Sequence, residues 1–278
     1  GDTVTLTIVP NEDVTQPSVT FYSGGLSVAD QPNIIYNGSG SNWTASYDVD
    51  ATNDAEGAVT FSINMTDLAG NTATGLTSLT GTSVDIDLTP PSITQTSIES
   101  SNTPNTIGYP NNTVTLIIIT DEDIVQPSVT FTSGGITVTD QPNIVYNSIS
   151  ASEWQAIYVV NAADTDGDVE IQIDVTDLTG NINATTYIGP IDNGNVVIDT
   201  SGPTITSTIA SNNNNTTLAK EADTITLTIN TNETIIQPSV TFFSGGDAVT
   251  DQPNIIYNGS GSNWTASFDV NAADTEGA

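Results

Sequence analysis

The chain has 278 residues, of which 33 are acidic and one, Lys220, is basic; the formal net charge is −32, with no histidine and no cysteine. That balance excludes nucleic acids, nucleotides and anionic membrane surfaces as partners, because they need Lys and Arg to neutralise phosphate. It also excludes triads built on His or Cys and the usual zinc and haem ligand sets. The groups that remain are carboxylates, amides, hydroxyls and carbonyls, the oxygen ligands of hard cations, Ca²⁺ above all. No disulfide can staple the fold, so stability must come from the core or from bound ions. No apolar run approaches the roughly 20 residues that span a bilayer, so direct membrane insertion of this segment is not expected.

In chain order, Val4, Leu6 and Ile8 alternate with Thr and predict a first strand. An acidic loop, "NEDV" at 11–14, leads to "TQPSVTFYSGG" at 15–25 and "DQPNIIYNGSGSNW" at 30–43. Trp43, Ala45 and Tyr47 form the inward face of another strand. The loop "NDAEG" at 53–57 precedes Val59, Phe61, Ile63 and Met65, a further inward face, and the turn "TDLAGN" at 66–71. The series then restarts. "VQPSVTFTSGG" at 125–135 and "IQPSVTFFSGG" at 236–246 repeat the second strand; "DQPNIVYNSISASEW" at 140–154 and "DQPNIIYNGSGSNW" at 251–264 repeat the next motif. "TDLTGN" at 176–181 repeats the turn. The period is roughly 110 residues, the size of one domain. Short Thr/Val/Ile-rich strands punctuated by Gly, Pro, Asn and Asp about every 8–12 residues predict antiparallel β-sandwiches. No stretch has helical periodicity.

"LTPPSIT" at 88–94 and "TSGPTIT" at 200–206 read as domain starts. Residues 1–87 are then a repeat lacking its first strand, 88–199 a complete repeat, and 200–278 a repeat lacking its last strands. The expectation is a window onto a longer chain, or otherwise a subunit completed by strand exchange between neighbours. The sandwich edges at both termini are expected to be unpaired or paired by a neighbour.

"GDTVTLTI…NEDV", "DTEGA", "VTFSINMTDLAGN" and "DLTPPSIT" together resemble the Ig-like repeats of large bacterial and archaeal cell-surface proteins, found in adhesin stalks and S-layer proteins. The resemblance covers the whole chain. It implies an all-β fold of tandem Ig-like antiparallel β-sandwiches arranged as a linear array, at the cell surface and extracellular. The chain departs from antibody-type domains: it has no cysteines, and Trp43 follows a Gly/Ser loop late in the unit, so it is not a Trp facing a disulfide.

In such a sandwich, loops cluster at two ends. The "NEDV" (11–14), "DEDI" (121–124) and "NETI" (232–235) loops and the "DLAGN"-type turns share one end. The "NDAEG", "DTDGD" (164–168) and "DTEG" (274–277) loops, with Asp87 and Asp199 at the exits of the last strands, share the other. Head-to-tail stacking brings Glu56, Asp87, Glu122 and Asp177 to a first junction, and Asp166, Asp199 and Glu233 to a second. Glu12 and Asp67 are the matching ligand candidates of the first repeat. At an effective dielectric of about 20, two like charges about 4 Å apart repel by about 4 kcal/mol. With no Arg or Lys to pair with, a divalent cation is the natural neutraliser, and oxygen ligands on flexible loops suit Ca²⁺ better than Mg²⁺. The resemblance adds that Ca²⁺ between such domains stiffens a rod. For the Asp of the turn, local Asx-type hydrogen bonding is the competing reading.

Other motifs weigh less. Asp164, Asp166 and Asp168 alternate like the start of a Ca²⁺ loop but lack the later Glu. "DTSG" at 199–202 does not match an aspartic-protease elbow, since Ser201 interrupts it. Two carboxylates suffice for glycosidase chemistry, yet repeated units offer no unique cleft, so no catalytic residue is expected. Sequons stand at Asn37, Asn42, Asn64, Asn183, Asn232, Asn258 and Asn263, so glycans are conceivable surface decoration. Trp43, Trp154 and Trp264 read as inward packing. The expectation is a non-enzymatic extracellular structural protein, a Ca²⁺-stiffened array that meets copies of itself in an S-layer lattice or surface filament. The alternatives are the stalk of a large adhesin and a carbohydrate-binding accessory module of a secreted hydrolase.

Overall fold

The computed structural model describes residues 1–183 and 194–277. The strand expected after the "DLTGN" turn falls on 184–193 and lies outside the described residues. The fold is all-β, built of Ig-like antiparallel β-sandwiches in tandem, and it divides into two compact units, 1–200 and 201–278.

The first repeat runs β1 (Thr3–Ile8), β2 (Ser18–Ser23), β3 (Leu26–Ser27), β4 (Ile35–Ser39), β5 (Asn42–Asp48), β6 (Gly57–Thr66), β7 (Thr72–Leu76) and β8 (Asp85–Ile86). One sheet is ordered β1-β5-β4; the other is β3-β2-β6-β7, with β8 also on β6. The second repeat runs β9 (Ile93–Ser100), β10 (Ile107–Gly108), β11 (Thr113–Thr120), β12 (Ser128–Ser133), β13 (Ile136–Thr137), β14 (Val145–Ser150), β15 (Glu153–Val159), β16 (Gly167–Asp174) and β17 (Val197–Ile198). Its sheets are β14-β15-β11-β9 and β10-β17-β16-β12-β13, where β10 and β17 form a parallel pair. In the unit 201–278, β18 (Ile205–Ser211), β19 (Thr224–Thr231), β22 (Ile256–Ser260) and β23 (Asn263–Asp269) make one sheet, and β20 (Phe243–Ser244) pairs β21 (Asp247–Ala248).

Alternation in the sequence becomes alternation of burial. Along β11 the pattern over Thr113–Thr120 buries every second residue, among them Val114, Leu116 and Ile118. Each repeat packs a separate core around a tilted aromatic pair: Phe21 with Tyr47, Phe131 with Tyr158, and Phe242 with Phe268, at centroid distances of 4.9, 4.8 and 4.7 Å. Fully burying one such side chain stabilises the fold by about 1.5–3 kcal/mol. Trp43 and Trp154 pack half-buried against their cores.

The "DQPN" motif, which carries no helical signal in the sequence, forms a one-turn 3₁₀ helix at Gln31–Asn33, Gln141–Asn143 and Gln252–Asn254. Its proline fits the first turn, where no N–H is needed. The glutamine then acts as a surrogate strand. Gln31 accepts a hydrogen bond from Phe21 N–H and donates to Val19 O, both at 2.8 Å, while Val19 N–H donates to the Tyr36 hydroxyl at 2.9 Å. The part of the outer edge of β2 that the short β3 does not reach is thereby satisfied at Val19 and Phe21.

Candidate metal centre

The turn at 66–71 is assembled by its own aspartate. Asp67 Oδ1 accepts from the N–H groups of Ala69 and Asn71, both at 2.8 Å, and Oδ2 from the Asn71 side-chain amide at 2.7 Å. Gly70 takes φ +93°, a conformation that glycine adopts without a Cβ penalty. The turn at 176–181 is built alike, with Gly180 at φ +97°. Asp177 Oδ1 accepts from Thr179 N–H (2.8 Å), the Thr179 hydroxyl (2.9 Å), Gly180 N–H (2.6 Å) and Asn181 N–H (2.8 Å); Oδ2 accepts from the Asn181 amide (2.8 Å). Burial works against the charge on Asp177, but the bonds from Asn181, Thr179 and the loop backbone outweigh it and hold the carboxyl below its usual range. Asp67 is held low as well, first by the Asn71 side chain and then by the Asn71 backbone.

Each turn is linked to the acidic loop beside it. Val14 bridges Asp67, and Ile124 bridges Asp177. Both Val14 and Ile124 are buried, so each bridge is anchored in a core. Glu122 stands two residues from its bridge, in a loop held by the Thr120 hydroxyl, which donates to Glu122 O at 2.7 Å. Asp121 ties this loop to the segment after Pro90 and Pro91: its Oδ1 accepts from Ser92 N–H at 2.7 Å.

Asp87 arrives from the first repeat. β8 pairs with β6 through Gly57↔Ile86 and Ala58↔Asp85, and buried Ile86 anchors it. Just beyond, the Asn181 side chain donates to Asp87 O at 3.1 Å, and the Asn183 side chain donates to Pro91 O at 3.0 Å. Asp87, Glu122 and Asp177 can each present a carboxylate oxygen such that all three lie within 4.8 Å of one another. Ca²⁺ bonds to oxygen at about 2.3–2.6 Å, so oxygens on opposite sides of one ion stand about 4.6–5.2 Å apart. The three carboxylates fit around one such ion. Asp177 Oδ1 already accepts four hydrogen bonds, which leaves Oδ2 as the oxygen to face a cation. Burial first, then the charges of Asp87, Asp177, Asp121 and Glu56, push the Glu122 carboxyl above its usual range.

Glu56 stands at the edge of this group. Its Oε2 accepts from the Thr89 hydroxyl and, at 3.4 Å, from Leu88 N–H. Among the described residues Asp87, Glu122 and Asp177 are the gathered set; Glu56 contributes its charge from the rim. Glu12 is exposed, and no third carboxylate is gathered with it and Asp67 among the described residues. Asp166 Oδ1 accepts from Thr200 N–H at 2.6 Å and from the Thr200 hydroxyl at 2.7 Å. Asp199 N–H donates to Gly108 O at 2.9 Å, in the same unit. Glu233 belongs to the unit 201–278, where its carbonyl accepts from the Thr231 hydroxyl at 2.6 Å.

The "DTDGD" loop does not gather its carboxylates. Buried Asp164 accepts from Thr139 N–H at 2.7 Å and from Asn161 N–H at 2.8 Å, Asp166 turns to Thr200, and Asp168 lies in β16 opposite Val197. Sequence reasoning missed the parts played by Asn181 and Asn183. The signal was the Asn closing "DLTGN", which reads locally as a turn residue and gives no hint of its acceptor 94 positions away.

No family model and no curated protein sequence matches the chain. Among solved structures it is similar to the I9–I11 tandem from titin, with TM-score 0.37 and 11% identity over 96% of this chain and 83% of that one. The I67–I69 I-band fragment of titin gives TM-score 0.35 and 12% identity over 99% and 85%. A marsupial T cell receptor gives 0.33 and 12% over 99% and 90%. Likenesses at this level carry no inference about activity or partners.

Proposed function

We propose that the chain is a non-enzymatic structural protein of an extracellular surface, a repeat array whose first junction is closed by a divalent cation, and that copies of it assemble into a lattice or filament of the S-layer kind. The reading is carried by one observation: Asp87, Glu122 and Asp177 converge from three distant segments, while the chain has a single cationic side chain, Lys220, already paired with Asp223 at 3.2 Å. A turn needs only local bonds, whereas convergence concentrates negative charge that an ion relieves. Ca²⁺ suits three carboxylates supplemented by carbonyl oxygens and water. The ion would act mechanically, by bridging oxygens of successive repeats, while each hydrophobic core keeps its repeat folded without it. The extracellular setting rests on the resemblance of these repeats to those of cell-surface proteins. Among the described residues, no helix is long and apolar enough to cross a membrane.

The test is small-angle scattering of the 278-residue chain with Ca²⁺ and with chelator, paired with calorimetric Ca²⁺ titration. Stoichiometric binding, together with a more flexible particle after chelation, is the expected result. Saturable binding with an unchanged scattering profile would remove the stiffening role, and no binding would remove the ion. Electron microscopy of the native assembly tests the lattice: lateral contacts repeated by symmetry support it, and isolated filaments carrying a terminal head indicate an adhesin stalk instead.

A further inference from the structure

One sheet is built alike in all three repeats, yet its outer face changes character in the second. In the first repeat that face of β1-β5-β4 is polar: Thr3 stands opposite Asp48, Thr5 opposite Ser46 and Thr7 opposite Thr44. The unit 201–278 places Thr224 opposite Asp269, Thr226 opposite Ser267 and Thr228 opposite Thr265. In the second repeat the same positions read Thr113 opposite Val159, Thr115 opposite Ile157 and Ile117 opposite Gln155. Val159, Ile157 and Ile117 thus stand where both other repeats have Asp, Ser and Thr. They alternate with buried Leu116, Ile118, Ala156 and Tyr158, so they point away from the core. Val145, opposite Ile157 on β14, extends the row, and both Val145 and Val159 are exposed. The core does not require these exchanges, because the other two repeats pack the same kind of aromatic pair without them.

A second difference falls on the same face. Sequons stand at Asn37 and Asn42 in the first repeat and at Asn258 and Asn263 in the unit 201–278, all four exposed. Their counterparts in the second repeat, Asn147-Ser148-Ile149 and Glu153-Trp154-Gln155, are not sequons. A glycan is bulky and solubilising. The hairpin that exposes aliphatic side chains is therefore also the one without an acceptor for a group that would hold a neighbour off. Between β9 and β11 lies a recess of about 330 Å³ bordered by Ser97, Glu99, Asn105 and Ile117, in which the Asn105 amide donates to Glu99 Oε2 at 3.3 Å.

We propose that the outer face of β14-β15-β11-β9 is a self-association surface, on which a second copy of the chain stacks the same face. The proposal rests on the reading that copies assemble and adds the face they use. The occupant follows from the chemistry. The rows offer aliphatic side chains with Thr, Asn and Gln, and no aromatic ring on which a sugar could stack. A basic partner would be drawn to the loops where carboxylates gather. An aliphatic surface is complemented by another, and a face that meets its own copy makes the isologous contact of a two-fold dimer. Chains of net charge −32 repel one another, and they approach most readily where carboxylates are sparse. Glu99 on the edge strand β9 and Glu153 at the start of β15 leave the centre of the face uncharged.

The experiment is sedimentation velocity of the 278-residue chain over a range of concentrations, with chelator present, at low and at high salt. The expected result is a reversible dimer that persists in chelator, which separates it from the cation of the junction, and that tightens as salt screens the repulsion. Val159→Asp should weaken the dimer at least tenfold by setting a carboxylate into the contact. The repeat should still fold, because Thr3 donates to Asp48 at 2.6 Å and Thr224 to Asp269 at 2.7 Å in the same place. Ile157→Ser should act in the same direction, and Asp48→Asn on the first repeat should leave the dimer unchanged. A chain that stays monomeric at every concentration overturns the proposal. So does a dimer that weakens as salt rises, or one that neither Val159→Asp nor Ile157→Ser disturbs. The lattice is judged apart from this face: symmetric lateral contacts in the native assembly, alongside a dimer indifferent to both substitutions, would keep the lattice and remove the face.

Discussion

The turns at 66–71 and 176–181 share the pattern Asp-Leu-x-Gly-Asn and the same local fold, yet they sit in different surroundings. Asp67 is partly exposed, and the donors to its carboxylate, Ala69 and Asn71, belong to its own loop. Asp177 is 2% exposed, because segment 87–91 packs over its turn. The Asn that ends each turn illustrates the change. Asn71 donates back to Asp67, whereas Asn181 donates to Asp177 and also across to Asp87 O. A motif can thus be a turn in one place and a turn plus part of a charge cluster in another. What differs is whether a third segment arrives.

The largest expected effect tests that difference in burial. Asp177→Ala removes a buried carboxylate that accepts from three loop N–H groups, one side-chain amide and a hydroxyl, and losing these charge-assisted bonds should cost on the order of 2–3 kcal/mol. Asp67 is less buried and accepts fewer bonds, so the chelator-treated denaturation midpoint of Asp67→Ala should move much less. Equal shifts for the two variants would break the comparison.

The next effect concerns the cation. Glu122→Gln or Asp87→Asn should weaken calorimetric Ca²⁺ binding tenfold or more, while Glu12→Gln should leave it unchanged. A comparable loss in Glu12→Gln would place the ion elsewhere.

The pH dependence follows from Glu122. Its carboxyl is raised in the folded protein, so the folded state binds the proton more readily than the unfolded state does. Its charge therefore costs stability at neutral pH in the ion-free protein, and that cost is relieved as pH falls through the raised folded value towards the ordinary carboxylate range. Ion-free protein should grow more stable over that window, and Ca²⁺ affinity should fall over the same window as the proton competes for a ligand. Asp177, held low, acts in the opposite sense: its contribution is present above the ordinary carboxylate value and is lost only as pH falls through its depressed value. Thermal midpoints with and without Ca²⁺ from pH 7 down to about 2 would resolve the two signs; a midpoint that only falls between pH 7 and about 4 contradicts the Glu122 assignment.

The smallest effect separates the two asparagines. Asn183→Ala removes the bond to Pro91 O and should cost about 1 kcal/mol, read as a lowered denaturation midpoint and faster amide exchange near residues 87–92. Asn71→Ala should change exchange only within its own loop.

Much of this architecture is legible in the chain. The alternation of Val114, Leu116 and Ile118 predicts β11, and the return of "QPSVTF" predicts three like units. The carboxylates at Glu122, Asp87 and Asp177 are legible too, through the simple rule that loops of a sandwich gather at its ends. The Glu56 environment is not. Its side chain meets Leu88 and Thr89, because the turn after β8 passes directly over it, and spacing alone does not report that path. Nor does "DTDGD" disclose that Asp164 points inward to Thr139 while Asp166 and Asp168 turn elsewhere. Asp164 and Asp166 stand in the loop before β16 and are claimed by different backbone partners, Thr139 and Thr200, while only Asp168 enters the strand, so the three do not converge.

The amino-acid order by itself determines the strand alternation, the repeat, the oxygen-only chemistry and the turn at each Asp-Leu-x-Gly-Asn. These depend on side-chain type and on neighbours a few residues away. Tertiary structure alone decides which of the chemically equivalent aspartates is buried, and that Glu56 stays at the rim while Asp87, Glu122 and Asp177 come together. Each of these depends on the arrival of a segment tens of residues distant. Coulomb repulsion, burial and strand pairing act on distance in space, and identical local sequences experience different distances.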